Sequence, residues 1–359
     1  MSEVALVVGG KRYGGWKSIR ITRSIESIAG SFALDVSDRW DGEQDPWPIA
    51  EEDSCRVEID GEAVIDGYVD ARDHSASEST RALSYTGRDR AAALVDNSLV
   101  LKQWTYRNVT LLELATALAK PWNVKVSAQA GLTLKKRGKV VIDPGDTAFE
   151  VLAREAAEDG VMLVSDGAGG VLITQSGTAR ATSLVERHNI KAASVKYDGA
   201  SRYHRYVVTA QAAGSDEAAG NATRIQAEAI DEGVRRTDRV LLIRPDKGYS
   251  AADAKRRADW EARHRAASAE TVLVTVLDWK QSNGSLWPLN ALTRVRAPRL
   301  IGVDGDLAIS QVDHTISEGG QITQLRLVRP DAFTPEPKGT VKSSAKSEGG
   351  WKELKEGGL

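Results

Sequence analysis

The sequence of 359 residues holds a single cysteine, Cys55. A lone thiol excludes an intrachain disulfide framework and the common thiolate zinc sites, and it fits a reducing compartment. Histidine is scarce as well. His74, His188, His204, His264 and His314 are scattered, and no two stand at metal-ligand spacing. An excess of either charge is also lacking: 48 basic residues face 50 acidic ones, for a formal net charge of −2. That balance supplies no field for capturing nucleic acid or an anionic membrane. No apolar run approaches a membrane span, and the opening Met-Ser-Glu-Val-Ala lacks the basic start of a secretion signal. The expectation is synthesis in the cytoplasm without membrane insertion. Phenylalanine is rare, three against nine tryptophans. Large amphipathic rings fill cores, and they are also enriched where proteins meet.

Motifs for chemistry are missing too. There is no Gly-x-Ser-x-Gly elbow and no zinc-protease helix. The glycine-rich run at 9–15 lacks the spacing of a phosphate loop and reads as a turn between strands, as does the run at 167–170. Glu155, Glu158 and Asp159 share a predicted helix and read as a solvated face rather than a catalytic acid pair. The basic stretches at 202–206, 255–257 and 263–265 are interleaved with Asp198, Asp253, Asp259 and Glu261, which breaks up any phosphate-binding field. No catalytic residue, cofactor site or metal site is assigned.

What is present is mostly strand. Ile19, Ile21 and Ile25 alternate with polar residues, as do Phe32, Leu34 and Val36, the period of a half-buried strand. Asp60-Gly61 between two such runs predicts a tight hairpin, because this pair tolerates the positive φ angles of a type I′ turn. The first 95 residues therefore suggest a small barrel or sandwich. Two capping boxes follow, Thr110 with Glu113 and Thr147 with Glu150, each opening a helix; Pro121 and Gly160 end them. Strand patterns return from about 190, with a second hairpin predicted at Glu318-Gly319-Gly320. They are interrupted by a helix that starts at Ser250 with Asp253 and carries an alanine stripe from Ala251 to Ala266. No sustained repeat is evident beyond the helix-then-strand echo. The stretch from Ala212 to Ala222 reads as a mobile loop. Residues 334–350 read as a disordered linker, followed by a short Trp351–Leu354 patch.

The order of several short words adds to this. Ile-Arg-Ile-Thr-Arg-Ser-Ile-Glu after Trp16, and Ala-Gly-Ser-Phe-Ala-Leu-Asp-Val at 29–36, resemble the opening of Mu-type phage baseplate hub proteins, the tail protein P family. The likeness continues through Val-Glu-Ile-Asp-Gly at 57–61, Asp-Gly-Tyr-Val-Asp at 66–70 and Tyr-Thr-Gly-Arg-Asp-Arg at 85–90. It ends with Ala-Asp-Trp-Glu-Ala-Arg at 258–263, Gly-Ser-Leu-Trp-Pro-Leu-Asn at 284–290 and Leu-Val-Arg-Pro-Asp-Ala-Phe at 327–333. Such proteins are similar to the hub of T-even phages and to the hub part of type VI secretion spikes.

The resemblance implies a mainly β fold with α+β character. Two small β-barrel domains related by pseudo-symmetry, 1–95 and 188–333, flank a two-helix α/β module at 96–187. A helix at 250–268 is inserted in the second barrel, and 334–359 form a flexible tail. It implies a structural role, with no enzyme activity and no cofactor. It implies a homotrimer whose ring adapts the sixfold tail tube to the trimeric spike, in contact with other baseplate proteins. DNA and the tape-measure protein pass through an axial channel without specific binding, so a lumen free of strong positive charge is expected. The resemblance places such a ring in the virion tail baseplate, with assembly expected in the host cytoplasm. Candidate partner-interface residues are Trp260, Trp279, Trp287, Trp351 and Leu354. A tail-like bacteriocin, a type VI-like machine and a tail-associated cell-wall hydrolase are the alternatives.

Overall fold

The computed structural model describes residues 2–37, 47–76, 81–177, 179–211, 224–245 and 249–337. Strand dominates, 46% against 18% helix, so the expectation of a mainly β fold with α+β character holds. The chain divides into two compact units. One comprises 1–201 with 264–335, the other 202–263 with 336–359.

The larger unit opens with seven strands: β1 (Val4–Val8), β2 (Lys11–Tyr13), β3 (Ser18–Ser24), β4 (Ser31–Ser37), β5 (Ser54–Ile59), β6 (Glu62–Ala76) and β7 (Arg81–Asp89). The alternation read from sequence is what buries them: Ile19, Ile21, Phe32, Leu34 and Val36 all face one core with Leu6, Val57 and Tyr85. Asp60 and Gly61 both take positive φ, 50° and 84°, as the hairpin between β5 and β6 requires. Gly9 and Gly10 do the same between β1 and β2, so the run at 9–15 opens with a turn between strands and continues into β2.

A compact α/β module follows, with α1 (Ala93–Asp96), β8 (Thr105–Val109), α2 (Leu111–Ala119), β9 (Val126–Ala128), β10 (Arg137–Val141), α3 (Ala148–Asp159), β11 (Met162–Ser165) and β12 (Val171–Thr174). Both predicted capping boxes are formed. Thr110 Oγ1 accepts from the Glu113 amide while the Glu113 carboxylate accepts from the Thr110 amide, and Thr147 with Glu150 repeats the pattern. Gly160 ends α3 in the left-handed region. The helices pack Leu111, Leu114, Leu118, Val151 and Leu152 into the module's own core.

The second strand-rich part contains β13 (Ala179–Arg180), β14 (Leu184–Val185) and β15 (Ala192–Tyr197). Within the smaller unit lie β16 (Arg205–Gln211), β17 (Arg224–Ile230) and β18 (Val240–Ile243). The chain then runs through α4 (Ala251–Ser268) to β19 (Glu270–Val276), β20 (Ala291–Ala297), β21 (Val303–Ser317) and β22 (Gly320–Val328). Gly320 is thus already a strand residue, and the hairpin turn is Glu318-Gly319. In the smaller unit the three strands pair in the order β17-β16-β18, and Val208, Ala210 and Ala229 pack with Ala254 and Ala258 of α4. Alanine on the buried face of α4 permits the close approach expected of the stripe. The predicted loop from Ala212 to Ala222 lies outside the described residues. So does most of the predicted linker. Its first residues are anchored within the smaller unit: the Tyr249 hydroxyl donates to the Pro337 carbonyl at 3.0 Å and Arg257 pairs with Glu336.

The strands of the larger unit obey one rule twice. In the first part the hydrogen-bonded order is β3-β4-β7-β6-β5. In the second it is β15-β19-β22-β21-β20. The two long strands, β6 and β21, have the same length of 15 residues. Each carries an irregularity near its middle, between Val69 and Ala71 and between Ile309 and Gln311. Aligning these bulges superposes Asp73-His74-Ser75 on Asp313-His314-Thr315, and the cross-strand pair Arg56–Asp66 on Arg294–Asp306. The fold therefore contains a duplicated strand order, of which the sequence keeps little beyond Asp73-His74 and Asp313-His314.

Candidate functional site

The two β modules meet in a seam where β21 lies antiparallel to β3. Val312 faces Arg23, Asp313 faces Thr22, His314 faces Ile21 and Thr315 faces Arg20. This pairing joins the strands into one continuous sheet and buries polar groups that must then be satisfied. Asp313, 4% exposed, accepts from Thr22 Oγ1 at 2.5 Å and from Gln311 Nε2 at 2.7 Å. His314, 3% exposed, stacks obliquely on Trp279 with ring centroids 5.3 Å apart, and its Nδ1 lies 3.3 Å from Thr323 Oγ1. Burial, aided by the nearby Arg23 cation, pushes the imidazole pKa down to about 3, so it is neutral in the folded chain at ordinary pH.

A second buried polar cluster ties the α/β module to the first β module. Asp89, at the end of β7, accepts from the Gly30 amide (2.8 Å), the Asp66 amide (3.2 Å) and Ser165 Oγ of β11 (2.6 Å). Arg23 adds an Nη2 bond to the Ser165 carbonyl at 3.4 Å. Burial raises the Asp89 carboxyl pKa, opposed by those hydrogen bonds and by Arg23, and burial lowers that of Arg23. Gly30 has no room for a side chain, since an added Cβ would lie 2.7 Å from Ile65 and 2.9 Å from the Asp89 carboxylate. This cluster is a structural rivet.

The repeat makes a contrast visible. The β6 positions equivalent to Asp313 and His314 are Asp73 and His74, and both are exposed. Among the described residues, β6 pairs only with β5 and β7, and β15 pairs only with β19. Among the described residues, no strand pairs with residues 71–76 of β6 beyond the end of β5, where Arg72 reaches the Ile49 carbonyl and Glu51, or with the outer side of β15. On the β15 edge Tyr197 is 65% exposed and Lys196 is solvent-facing. Sequence reading missed these positions; the shared Asp-His at 73–74 and 313–314 was the signal that would have found them.

The tryptophans proposed as interface residues separate into three groups. Trp279 is completely buried in the first module's core, where its indole donates to the Ile322 carbonyl at 2.8 Å. Trp287, 4% exposed, fills the second module's core and donates to the Asp278 carbonyl at 3.2 Å. Within one chain both rings are core residues with almost no exposed surface. Trp260 is half-buried on α4 with the Arg257 guanidinium 5.1 Å from its ring. Trp351 and Leu354 lie outside the described residues.

The groups read as solvated are engaged in ion pairs. Glu155 and Asp159 both bind Arg137 at 3.0 Å, so they act together on one cation. Lys255 pairs with Asp259, Arg256 with Asp253, Arg257 with Glu261 and Arg202 with Asp231, which offsets charge in the stretches at 255–257 and 202–206. Cys55 is buried, and burial followed by the surrounding carboxylates pushes its thiol pKa up to about 12. Among the described residues no group of three or more His, Cys, Asp or Glu is placed to hold a metal ion, and no helix is long and apolar enough to cross a membrane.

Comparison with known proteins agrees with this geometry. Residues 3–89 match the family described as Mu phage baseplate assembly protein GpP-like, N-terminal. Residues 91–175 match baseplate hub protein gp44-like, second domain, and residues 250–336 match Mu phage baseplate assembly protein GpP, fourth domain. The chain is 28% identical over 342 residues to baseplate hub protein gp44 of Escherichia phage Mu, covering 92% of this chain and 89% of that protein. It is 32% identical to the 43 kDa tail protein of prophage MuSo2 from Shewanella oneidensis, with a TM-score of 0.82 over 93% of this chain and 99% of the other. The fold alone extends, at 10% identity and a TM-score of 0.53, to an E. coli component of the type VI secretion system described as structurally similar to the T4 tail proteins gp27 and gp5; the match covers 90% of this chain and 76% of that one.

Proposed function

We propose, from the premise that this chain belongs to the Mu-type phage baseplate hub family and is the baseplate hub protein of a Mu-like tail, that three copies close into a ring that adapts a sixfold tail tube to a threefold spike. The observation that carries this reading is the duplicated strand order. Two modules per chain, joined side by side through β3 and β21, give three chains six nearly equivalent faces. A closed cyclic ring presents the same patch three times, and duplication within the chain makes that patch approximate six. One face of the ring then carries the tube and the other the spike, and other baseplate proteins dock around it. Each β module acts as a barrel-like segment of the ring wall, around an axial channel for DNA and the tape-measure protein. Assembly takes place in the host cytoplasm.

The role is structural, with no catalysis. The balance of 48 basic against 50 acidic residues supports a channel through which DNA slides without being held. Trp260, and the C-terminal Trp351 and Leu354, are the remaining candidates for contacts with neighbouring proteins.

Mixing the purified chain with the tube and spike proteins of the same tail tests the proposal. The expected result is a stack, tube on one face and spike on the other, seen by electron microscopy. A chain that binds neither would overturn it. Clearing of peptidoglycan by the purified chain would instead favour a cell-wall hydrolase.

A further inference from the structure

We propose that the open edge of β6 and the open edge of β15 are the two halves of an intermolecular seam, in which residues 71–76 of one copy pair antiparallel with residues 193–198 of the next. The proposal rests on the ring reading above and supplies its subunit interface.

The chain itself contains the template. In the duplicated order, β15 occupies the place of β3 and β6 the place of β21. Within one chain β21 lies on β3. The equivalent partner strands, β6 and β15, lie in the same chain without each other. Among the described residues, their outer edges carry no strand partner, and folded proteins cover or charge such edges. A head-to-tail contact between such complementary edges closes a ring when its rotation fits.

The register follows from pairings already present. On β4, Ser31 faces both Thr22 and Arg88; on β19, Thr271 faces both Lys196 and Val328. Thr22 therefore corresponds to Lys196, Ile21 to Val195, Arg20 to Ser194 and Arg23 to Tyr197. Transferring the internal seam places Asp73 opposite Lys196, His74 opposite Val195, Ser75 opposite Ser194 and Arg72 opposite Tyr197. The chemistry agrees with this register. Where Asp313 receives a hydrogen bond from Thr22, Asp73 meets the Lys196 ammonium, an opposite-charge cross-strand pair. Val195 replaces Ile21, another β-branched residue suited to a strand. Charged residues on both edges select the complementary edge of another copy over an arbitrary strand.

Two sets of variants test this in the full-length chain. Directly opposed residues in an antiparallel pair lie about 4.5–5.5 Å apart at Cα, within disulfide reach. The double variant Asp73→Cys/Lys196→Cys is expected to form, on mild oxidation, intermolecular disulfides whose ladder ends at three chains. The double variant Asp73→Cys/Val195→Cys, one residue out of register, is expected to stay uncrosslinked. Buried Cys55 does not compete. In the second set, Lys196→Glu should weaken association roughly tenfold or more, because like charges then face each other, and adding Asp73→Lys should restore it. A trimer by light scattering with no crosslink at 73/196 and no response to Lys196→Glu overturns this interface while leaving the ring. Equal crosslinking of both Cys pairs overturns the register. A chain that stays monomeric and uncrosslinked overturns both the seam and the ring.

Discussion

Ser165 Oγ donates a 2.6 Å hydrogen bond to Asp89 Oδ2, and the two buried residues stand 76 positions apart in the sequence. The bond spans two cores, linking a strand of the α/β module to the last strand of the first β module. The same carboxylate faces the buried Arg23 cation. Removing it with Asp89→Ala strands that cation and three donors, an expected loss of about 3–5 kcal/mol of unfolding free energy. Ser165→Ala removes one donor and is expected to cost about 1–3 kcal/mol. Urea denaturation with an unchanged slope checks both.

The neutral His314 makes stability depend on pH. Its folded pKa lies at about 3, below the ordinary value of 6.5, so between those limits the unfolded chain binds the proton and the folded chain does not. Its contribution is complete above pH 6.5 and falls as the pH drops toward 3. The slope is about 1.4 kcal/mol per pH unit. Between pH 7 and 5 the native chain is expected to lose roughly 2 kcal/mol more than a His314→Gln variant does. Equal losses in the two proteins would contradict the assignment.

Trp279 is predicted to matter for folding and Trp260 for contact. Trp279→Ala empties a completely buried site and breaks the indole bond to Ile322, with an expected cost of about 3–5 kcal/mol. Trp260→Ala, at a half-buried position, is expected to change stability less and the binding of baseplate partners more. Thermal or urea unfolding separates the two.

Cys55 is expected to be inert. Its thiol pKa of about 12 leaves almost no thiolate at neutral pH, and burial blocks access. A colorimetric thiol reagent should react only as fast as the protein unfolds. Prompt stoichiometric labelling of the native chain would contradict the packing around β5.

Local chemistry made much of this fold legible. Asp60-Gly61, the two Thr–Glu capping boxes and the Ser250 helix start each act within a few residues, so their spacing alone located the turns and helix ends. Longer-range relations were hidden. Asp313 and Thr22 meet across 291 positions, and no periodicity records such a pairing. The duplication survives in sequence mainly as Asp73-His74 and Asp313-His314, too short to stand out. Trp279 and Trp287 lie in a connection between strands, where no hydrophobic period reveals that their rings turn inward. Residues 202–263 look like the strands around them, yet their core closes on α4 instead. The family resemblance supplied what local patterns did not, the pseudo-symmetric plan.

The ring is the central claim, and the mass of the native particle tests it most directly. Light scattering on the purified chain, alone and with its spike protein, is predicted to give three copies of the chain per particle. A particle containing one copy under both conditions would contradict the account.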